Sequence, residues 1–220
     1  MSEPGRASRS VLDQIERLPL SSRQLIICDV DEVVLHLIRH LEAYLHGEGL
    51  VFLRPEYRLT GNIARIDDPT PLSADHVKRH IQAFFDGHTH RQELVEGAEM
   101  ALTGLAEHWD VIFLTNLPGP HNKQIRESLL ASRGLPFPVV TNTGPKGGAV
   151  AALAARRQGP VVFIDDSPAN HQSVRASLPS AVQIQFVADQ RFREMVEPEP
   201  FIALLTGDWD ETTAFIERIL

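Results

Sequence analysis

Short apolar runs recur along the chain, each followed by polar residues, with helical patterns between them. Gln24-Leu-Ile-Ile-Cys28 is apolar and rich in β-branched residues, the pattern of a strand covered on both faces. Similar runs stand at Val111-Ile-Phe-Leu114, Phe137-Pro-Val-Val140, Val161-Val-Phe-Ile164 and Val182-Gln-Ile-Gln-Phe-Val187; the last alternates enough to suit an edge strand. Residues 97–108 carry Met100, Ala101 and Leu105, and 121–132 carry Ile125 and Leu129 at i, i+4. Residues 147–157 are alanine-rich, and 168–178 run from Pro168, a favourable first-turn residue, to Leu178. Alternating strands and helices predict the α/β class, an open parallel sheet with helices on both faces.

The stretch between the first two strands breaks this rhythm. A crossover needs only about a dozen residues, yet about eighty separate Asp29 from Val111. Helical patterns fall at about 32–46 and at 74–86, where Val77, Ile81, Phe84 and Phe85 form one stripe behind Ser73, an expected N-cap. The less regular piece His46 to Pro71 lies between them. We therefore expect a core of 21–35 and 94–220, a small, mainly helical cap over 36–93, and a polar tail and lead-in over 1–20. Pro198-Glu-Pro200 marks a turn, and Asp208 to Leu220 reads as a capped terminal helix with Phe215, Ile216 and Ile219 facing inward.

Composition narrows the functional classes. Of 220 residues 43% are hydrophobic, enough for a real core. No apolar run approaches the roughly 18 to 20 residues that span a bilayer, and the polar start lacks the apolar core of a signal peptide, so no membrane partner is expected. Cys28 is the only cysteine; it is expected to be a small buried apolar residue, and a reducing cytoplasm suits a chain that can form no intrachain disulfide. The formal net charge of −8 argues against binding a nucleic-acid backbone, but a small anion needs only a local positive site.

Four polar clusters each follow a buried run: Asp29-Val-Asp31, Thr115-Asn116, Lys146 ahead of Gly147-Gly148, and Asp165-Asp166. In an open parallel sheet the carboxyl ends of the strands converge on the crevice where ligands bind. Singly, each cluster has an ordinary explanation: Thr-Asn suits a turn, a lysine at a helix start is usually solvated, and Asp165-Asp166-Ser167-Pro168 suits a capped helix start. Four together, in one order, are far less expected by accident. Gly144, Gly147 and Gly148 do not match the GxxxxGK[ST] phosphate loop; they would let the backbone approach phosphate, or simply begin the helix.

On these motifs the chain resembles the haloacid dehalogenase-like superfamily, in its phosphatase branch with a small helical cap after the first motif. Leu25-Ile-Ile-Cys28 leads into Asp29-Val-Asp31-Glu-Val, Val111-Ile-Phe-Leu114 into Thr115-Asn116, Gly144-Pro-Lys146-Gly-Gly carries the third motif, and Val161-Val-Phe-Ile164 leads into Asp165-Asp166-Ser-Pro-Ala-Asn170. The resemblance covers about Gln24 to Phe186 and is weakest in the cap. It implies a Rossmann-like three-layer core, an aspartyl-phosphate intermediate, Mg2+ and phosphate-ester hydrolysis.

The chemistry of these residues agrees with that implication. Phosphoryl transfer is largely positioning plus electrostatic stabilisation. Asp29 is the candidate nucleophile, and Asp31 the acid that protonates the leaving oxygen and then activates water. Asp29, the Asp31 backbone carbonyl and Asp166 would offer hard oxygens to Mg2+, with Asp165 as the alternative ligand. Lys146 would hold Asp29 and the phosphate together, and the Thr115 hydroxyl with the Asn116 backbone N–H would bind phosphate oxygens. Asn170 takes the place of a further acid in some members. Val33 replaces a frequent threonine and Glu32 a frequent glycine. The dehalogenases themselves lack an acid at the position of Asp31, so its presence favours phosphate over halide.

The expected partner is a small phosphorylated metabolite, with the chain a monomer or homodimer. A phosphomutase or phosphotransferase, or a silent phosphate-binding regulator, are the alternatives. His36 with His40, and His76 with His80, stand at i, i+4 and could present imidazoles to a second metal, although polar helix faces carry histidines routinely. His36, His40, Arg39 and Arg58 are candidates for substrate contact from the cap.

Overall fold

The computed structural model describes residues 5–119 and 121–219; Met1 to Pro4 of the expected tail and Leu220 of the terminal helix lie outside them. Six parallel strands form the main sheet: β1 (Leu25–Cys28), β5 (Asp110–Asn116), β6 (Val139–Asn142), β7 (Val161–Asp165), β8 (Val182–Phe186) and β9 (Leu204–Thr206), in the order β6-β5-β1-β7-β8-β9. β2 (Leu50–Phe52), β3 (Ile63–Arg65) and β4 (Asp68–Pro71) form a second, small antiparallel sheet. β1 is buried at all four positions, as a central parallel strand must be.

The side-chain alternation of β1 divides the core. Ile26 and Cys28 face a cluster that includes Leu102 and Leu105 of α4 (Ala98–Leu105), Leu129 and Leu130 of α5 (His121–Ser132), and Trp209 and Ile216 of α9 (Trp209–Glu217). Leu25 and Ile27 face the other side, packing with α1 (Arg9–Glu16), α6 (Gly147–Ala154) and α7 (Pro168–Ser177). The result is a three-layer α/β core with every strand end that bears a polar cluster on one edge.

Several expectations are corrected. The lead-in is not a polar tail throughout: α1 is capped by the Ser8 hydroxyl and buries Val11 and Ile15 against the sheet. Its Gln14 completes the free edge of β6, accepting from the Thr141 N–H at 3.0 Å and donating to the Thr141 carbonyl at 3.0 Å. β8 is not an edge strand, because β9 pairs with it in parallel. The polar residues behind its alternation, Gln183 and Gln185, are each 1% exposed. β6 starts two residues later than the apolar run that predicts it, since Pro138 has no N–H for the ladder. α9 begins as expected, with the Asp208 side chain accepting from Asp210 and Glu211.

The insertion between β1 and β5 combines α2 (Ile38–Gly47), α3 (Ala74–Gly87) and a short 3-10 turn, Thr89–Arg91, with an antiparallel sheet of β2 (Leu50–Phe52), β3 (Ile63–Arg65) and β4 (Asp68–Pro71). Helix predominates, but the sheet was not legible in the pattern. The insertion has its own core of Leu41, Leu45, Leu50, Ile63, Val77, Phe84 and Phe85, closed by Leu117 from the loop after β5. Its first helix starts at Ile38 rather than near residue 32. Residues 30–35 instead form a tight turn in which Glu32 has φ 63. That left-handed backbone explains why glycine suits this position. The Glu32 carboxylate supports the turn by accepting from Leu37 and Ile38 N–H (3.0 and 2.8 Å) and from Asp189 N–H (2.7 Å).

Candidate active site

The parallel sheet brings the expected residues to its carboxyl edge because β1, β5 and β7 are adjacent. Asp29 and Asp31 follow β1, Thr115 and Asn116 end β5, and Asp165 ends β7 with Asp166 just beyond. Lys146 precedes α6. Gly147 and Gly148 behind it are required by packing: a Cβ at Gly147 would strike the Ser173 backbone of α7, and one at Gly148 the backbone of residues 5–7. These glycines bring the helix start close enough for Lys146 to reach the strand ends.

The Lys146 ammonium, fully buried, lies 2.7 Å from Asp29 Oδ1 and 2.7 Å from Asp165 Oδ2. Burial by itself would lower the lysine pKa; Asp165 and Asp29 together outweigh it and raise it. Asp165 has both oxygens engaged: Oδ1 accepts from Ser167 N–H at 2.9 Å and from Asn170 Nδ2 at 3.0 Å, while Oδ2 takes the lysine. Its backbone carbonyl is bound by His171 Nε2 at 2.9 Å, and His171 Nδ1 in turn meets Gln183 Oε1 at 2.9 Å. Asp165 thus organises the loop, and Asn170 acts on Asp165.

Asp166 differs. Its backbone carbonyl accepts from Gln185, while its carboxylate has no hydrogen-bond donor among the described residues. Burial, then the nearby Asp165 and Asp29 charges, push its carboxyl well above the usual range. Asp29 is raised to about 7, first by burial and then by Asp165, with Lys146 opposing. One ammonium among three buried carboxylates leaves the pocket short of positive charge. Asp29, Asp165 and Asp166 each offer an oxygen within 4.8 Å of one another, and among the described residues they are the group of three acids, histidines or cysteines that can share a metal ion.

The Thr115 hydroxyl, near the end of β5, is buried without a hydrogen-bond partner among the described residues. The Asn116 side chain is used structurally, donating to the Gly144 carbonyl at 3.0 Å and accepting from Asn142 at 2.9 Å, which ties the ends of β5 and β6 to the loop before Lys146. Val33 is buried, and its carbonyl accepts from Trp209 Nε1 at 3.1 Å.

Two residues at Asp31 carried no sequence signal. Arg126 of α5 places Nη2 3.0 Å from Oδ1 and 3.1 Å from Oδ2, and Gln92 donates to Oδ1 at 2.9 Å. A single arginine in a helix pattern reads as solvated; only the tertiary fold buries it. Three of the four candidate histidines are engaged elsewhere: His36 pairs with Glu96 at 3.0 Å, His40 accepts from the Glu93 N–H at 3.2 Å, and His80 meets the Tyr44 hydroxyl at 3.3 Å, while His76 is exposed. Arg39 pairs with Glu93, and Arg58 is exposed. A cavity of about 610 Å3 along α5 is lined by His90, His121 and Leu129 among others, and by none of the carboxylates. No helix among the described residues is long and apolar enough to cross a membrane.

The sequence matches no family model and no curated protein. Solved structures do resemble it. A haloacid dehalogenase-like family hydrolase from Streptococcus pneumoniae aligns at 11% identity and TM-score 0.59, covering 89% of this chain and 99% of that one. The putative hydrolase YfnB from Bacillus subtilis, bound to magnesium, aligns at 13% identity and TM-score 0.57, covering 89% and 99%. CbbY from Rhodobacter sphaeroides, in complex with phosphate, aligns at 16% identity and TM-score 0.52, covering 86% and 96%. At such identities the likeness is one of fold, and the fold of this chain is that of the haloacid dehalogenase-like hydrolases.

Proposed function

We propose that this chain is a Mg2+-dependent phosphomonoester hydrolase that forms an aspartyl phosphate on Asp29 and acts on a small phosphorylated metabolite. The observation that carries the reading is the buried Lys146 ammonium 2.7 Å from Asp29, at strand ends that also present Asp31, Thr115 and Asp166. The all-oxygen donor set and the missing positive charge suit a hard divalent cation. Asp29 and Asp166 would hold it, with the Asp31 carbonyl, because Asp165 is already saturated by Lys146, Asn170 and Ser167. When bound, Mg2+ would supply charge neutralisation at the phosphoryl oxygens.

The chain's own groups then divide the work. Lys146 favours the ionised form of Asp29 against burial and draws phosphate toward it, and Thr115 supplies an unspent hydroxyl to a phosphoryl oxygen. An Asp29 oxygen bonds to phosphorus as the bond to the leaving oxygen breaks, and Asp31 gives that oxygen its proton. Asp31 next takes a proton from water as the new water oxygen–phosphorus bond forms and the Asp29–phosphorus bond breaks. Orthophosphate leaves and Asp31 is protonated again. The insertion, whose core is closed by Leu117 from the loop after β5, would act as a cap that restricts the substrate to small molecules.

An assay of sugar phosphates, nucleotides and phosphoserine with Mg2+ tests the reading. Turnover by the wild type that is lost in Asp29→Asn supports it; no turnover, or full activity in Asp29→Asn, overturns it.

A further inference from the structure

Asp31 is gripped from two sides by residues that have no part in the steps above. Arg126 lies on the inward face of α5 with its side chain 2% exposed, and Asp31 is its acidic partner. Gln92, in the segment returning from the insertion, donates both to Asp31 Oδ1 at 2.9 Å and to the His36 carbonyl, on the segment entering it, at 3.2 Å. One amide therefore connects both ends of the insertion to a single carboxylate.

Stability does not account for this arrangement. Burying a guanidinium with one carboxylate often gains nothing over well-packed apolar residues of similar volume. The same face of α5 buries Leu129 and Leu130, so an apolar residue would fit the surroundings. Arg126 Nη1 and Gln92 Oε1 also lack hydrogen-bond partners among the described residues, a further cost of burying them. What the costly pair achieves is orientation: three hydrogen bonds from two directions fix the plane of the Asp31 carboxylate.

We propose that Arg126 and Gln92 are positioning residues, which aim the Asp31 carboxylate first at the leaving oxygen and then at the attacking water. The inference rests on the hydrolase reading, in which Asp31 is the acid and base. Neither residue contacts phosphate in this account, so the loss should fall on turnover rather than on binding.

A double-mutant cycle tests it, with kcat and KM measured for p-nitrophenyl phosphate and Mg2+. The proteins are wild type, Arg126→Gln, Gln92→Met, Asp31→Asn, and each of the first two combined with Asp31→Asn. Both single variants should lower kcat, Arg126→Gln by roughly tenfold or more, with KM within about twofold of wild type. Neither should lower kcat further once Asp31 is asparagine, because the carboxylate they aim is gone. Equal losses with and without Asp31, a raised KM at unchanged kcat, or no change in either single variant would overturn the inference. If Arg126→Gln fails to fold, as a melting curve would reveal, the Gln92→Met cycle decides by the same criteria. An active wild type with an additive cycle removes this inference alone; an inactive wild type removes the hydrolase reading with it.

Discussion

Lys146 Nζ stands 2.7 Å from Asp29 Oδ1 in a pocket where the lysine side chain is only 1% exposed. The contact is both an ion pair and a counterweight to three buried acids. Lys146→Met should abolish turnover, by about a hundredfold or more, since it removes the cation from the reacting centre. It should also lower the stability of the metal-free protein by about 3–5 kcal/mol, the cost of stranding buried carboxylates without a partner. Denaturant melts in EDTA check the second effect; an unchanged midpoint would contradict it.

The same excess of acid sets a pH dependence. Asp29 has its carboxyl raised from 3.8 to about 7, so between those values the folded protein holds a proton that the unfolded chain releases. Stability of the metal-free protein should therefore fall as pH rises from about 4 to about 7. A divalent cation must displace that proton, so its affinity should rise through about pH 7. Melting curves with and without Mg2+ at about pH 6 and pH 8 test this: the Mg2+-induced rise in Tm should be larger at the higher pH, and an equal or smaller rise would refute it.

Glu32 holds the turn after Asp31 with both carboxylate oxygens. One accepts from Leu37 and Ile38, the other from Asp189. Glutamine keeps only one acceptor oxygen and turns an N–H2 toward the remaining backbone donors. Glu32→Gln should destabilise the fold by about 1–3 kcal/mol for the donors left unpaired. A denaturant midpoint indistinguishable from wild type would show that the clamp carries no energy.

Gln14 joins α1 to the edge of β6 through the Thr141 backbone, and its Oε1 also accepts from Lys123 at 2.8 Å. Gln14→Ala should loosen this helix without touching the site. Hydrogen exchange should quicken across residues 9–16 while kcat stays near the wild-type value. Unchanged exchange there would mean that Val11 and Ile15 alone hold the helix.

The strands that carry the site were legible because a central parallel strand must be apolar at every position, as β1 is from Leu25 to Cys28. The polar residues closing each run then marked one edge of one sheet. Shorter or contradictory signals were not legible. β4 reads Asp-Pro-Thr-Pro, a turn composition, and becomes a strand only by pairing with β3. β9 spans three residues and exists by docking on β8. Gln183 and Gln185 imitate a solvent-facing alternation, yet their partners, His171 and the Asp166 carbonyl, meet them only once α7 folds back on β8. Arg126 is the instructive omission. Its helical position could be read from the pattern, but its burial against Asp31 depends on how α5 packs against the core in the folded chain. Val11 and Ile15, apolar at i, i+4, were a signal for α1 that the polar surroundings obscured.

In the proposed reaction phosphate passes through Asp29. The direct measurement is to quench the enzyme during turnover of a phosphorylated substrate with Mg2+, reduce with borohydride, and map the modified residue by mass spectrometry. An acyl phosphate on an aspartate is reduced to homoserine, and that conversion is expected at Asp29. Homoserine at another acid, or turnover in Asp29→Asn equal to the wild type, would contradict it.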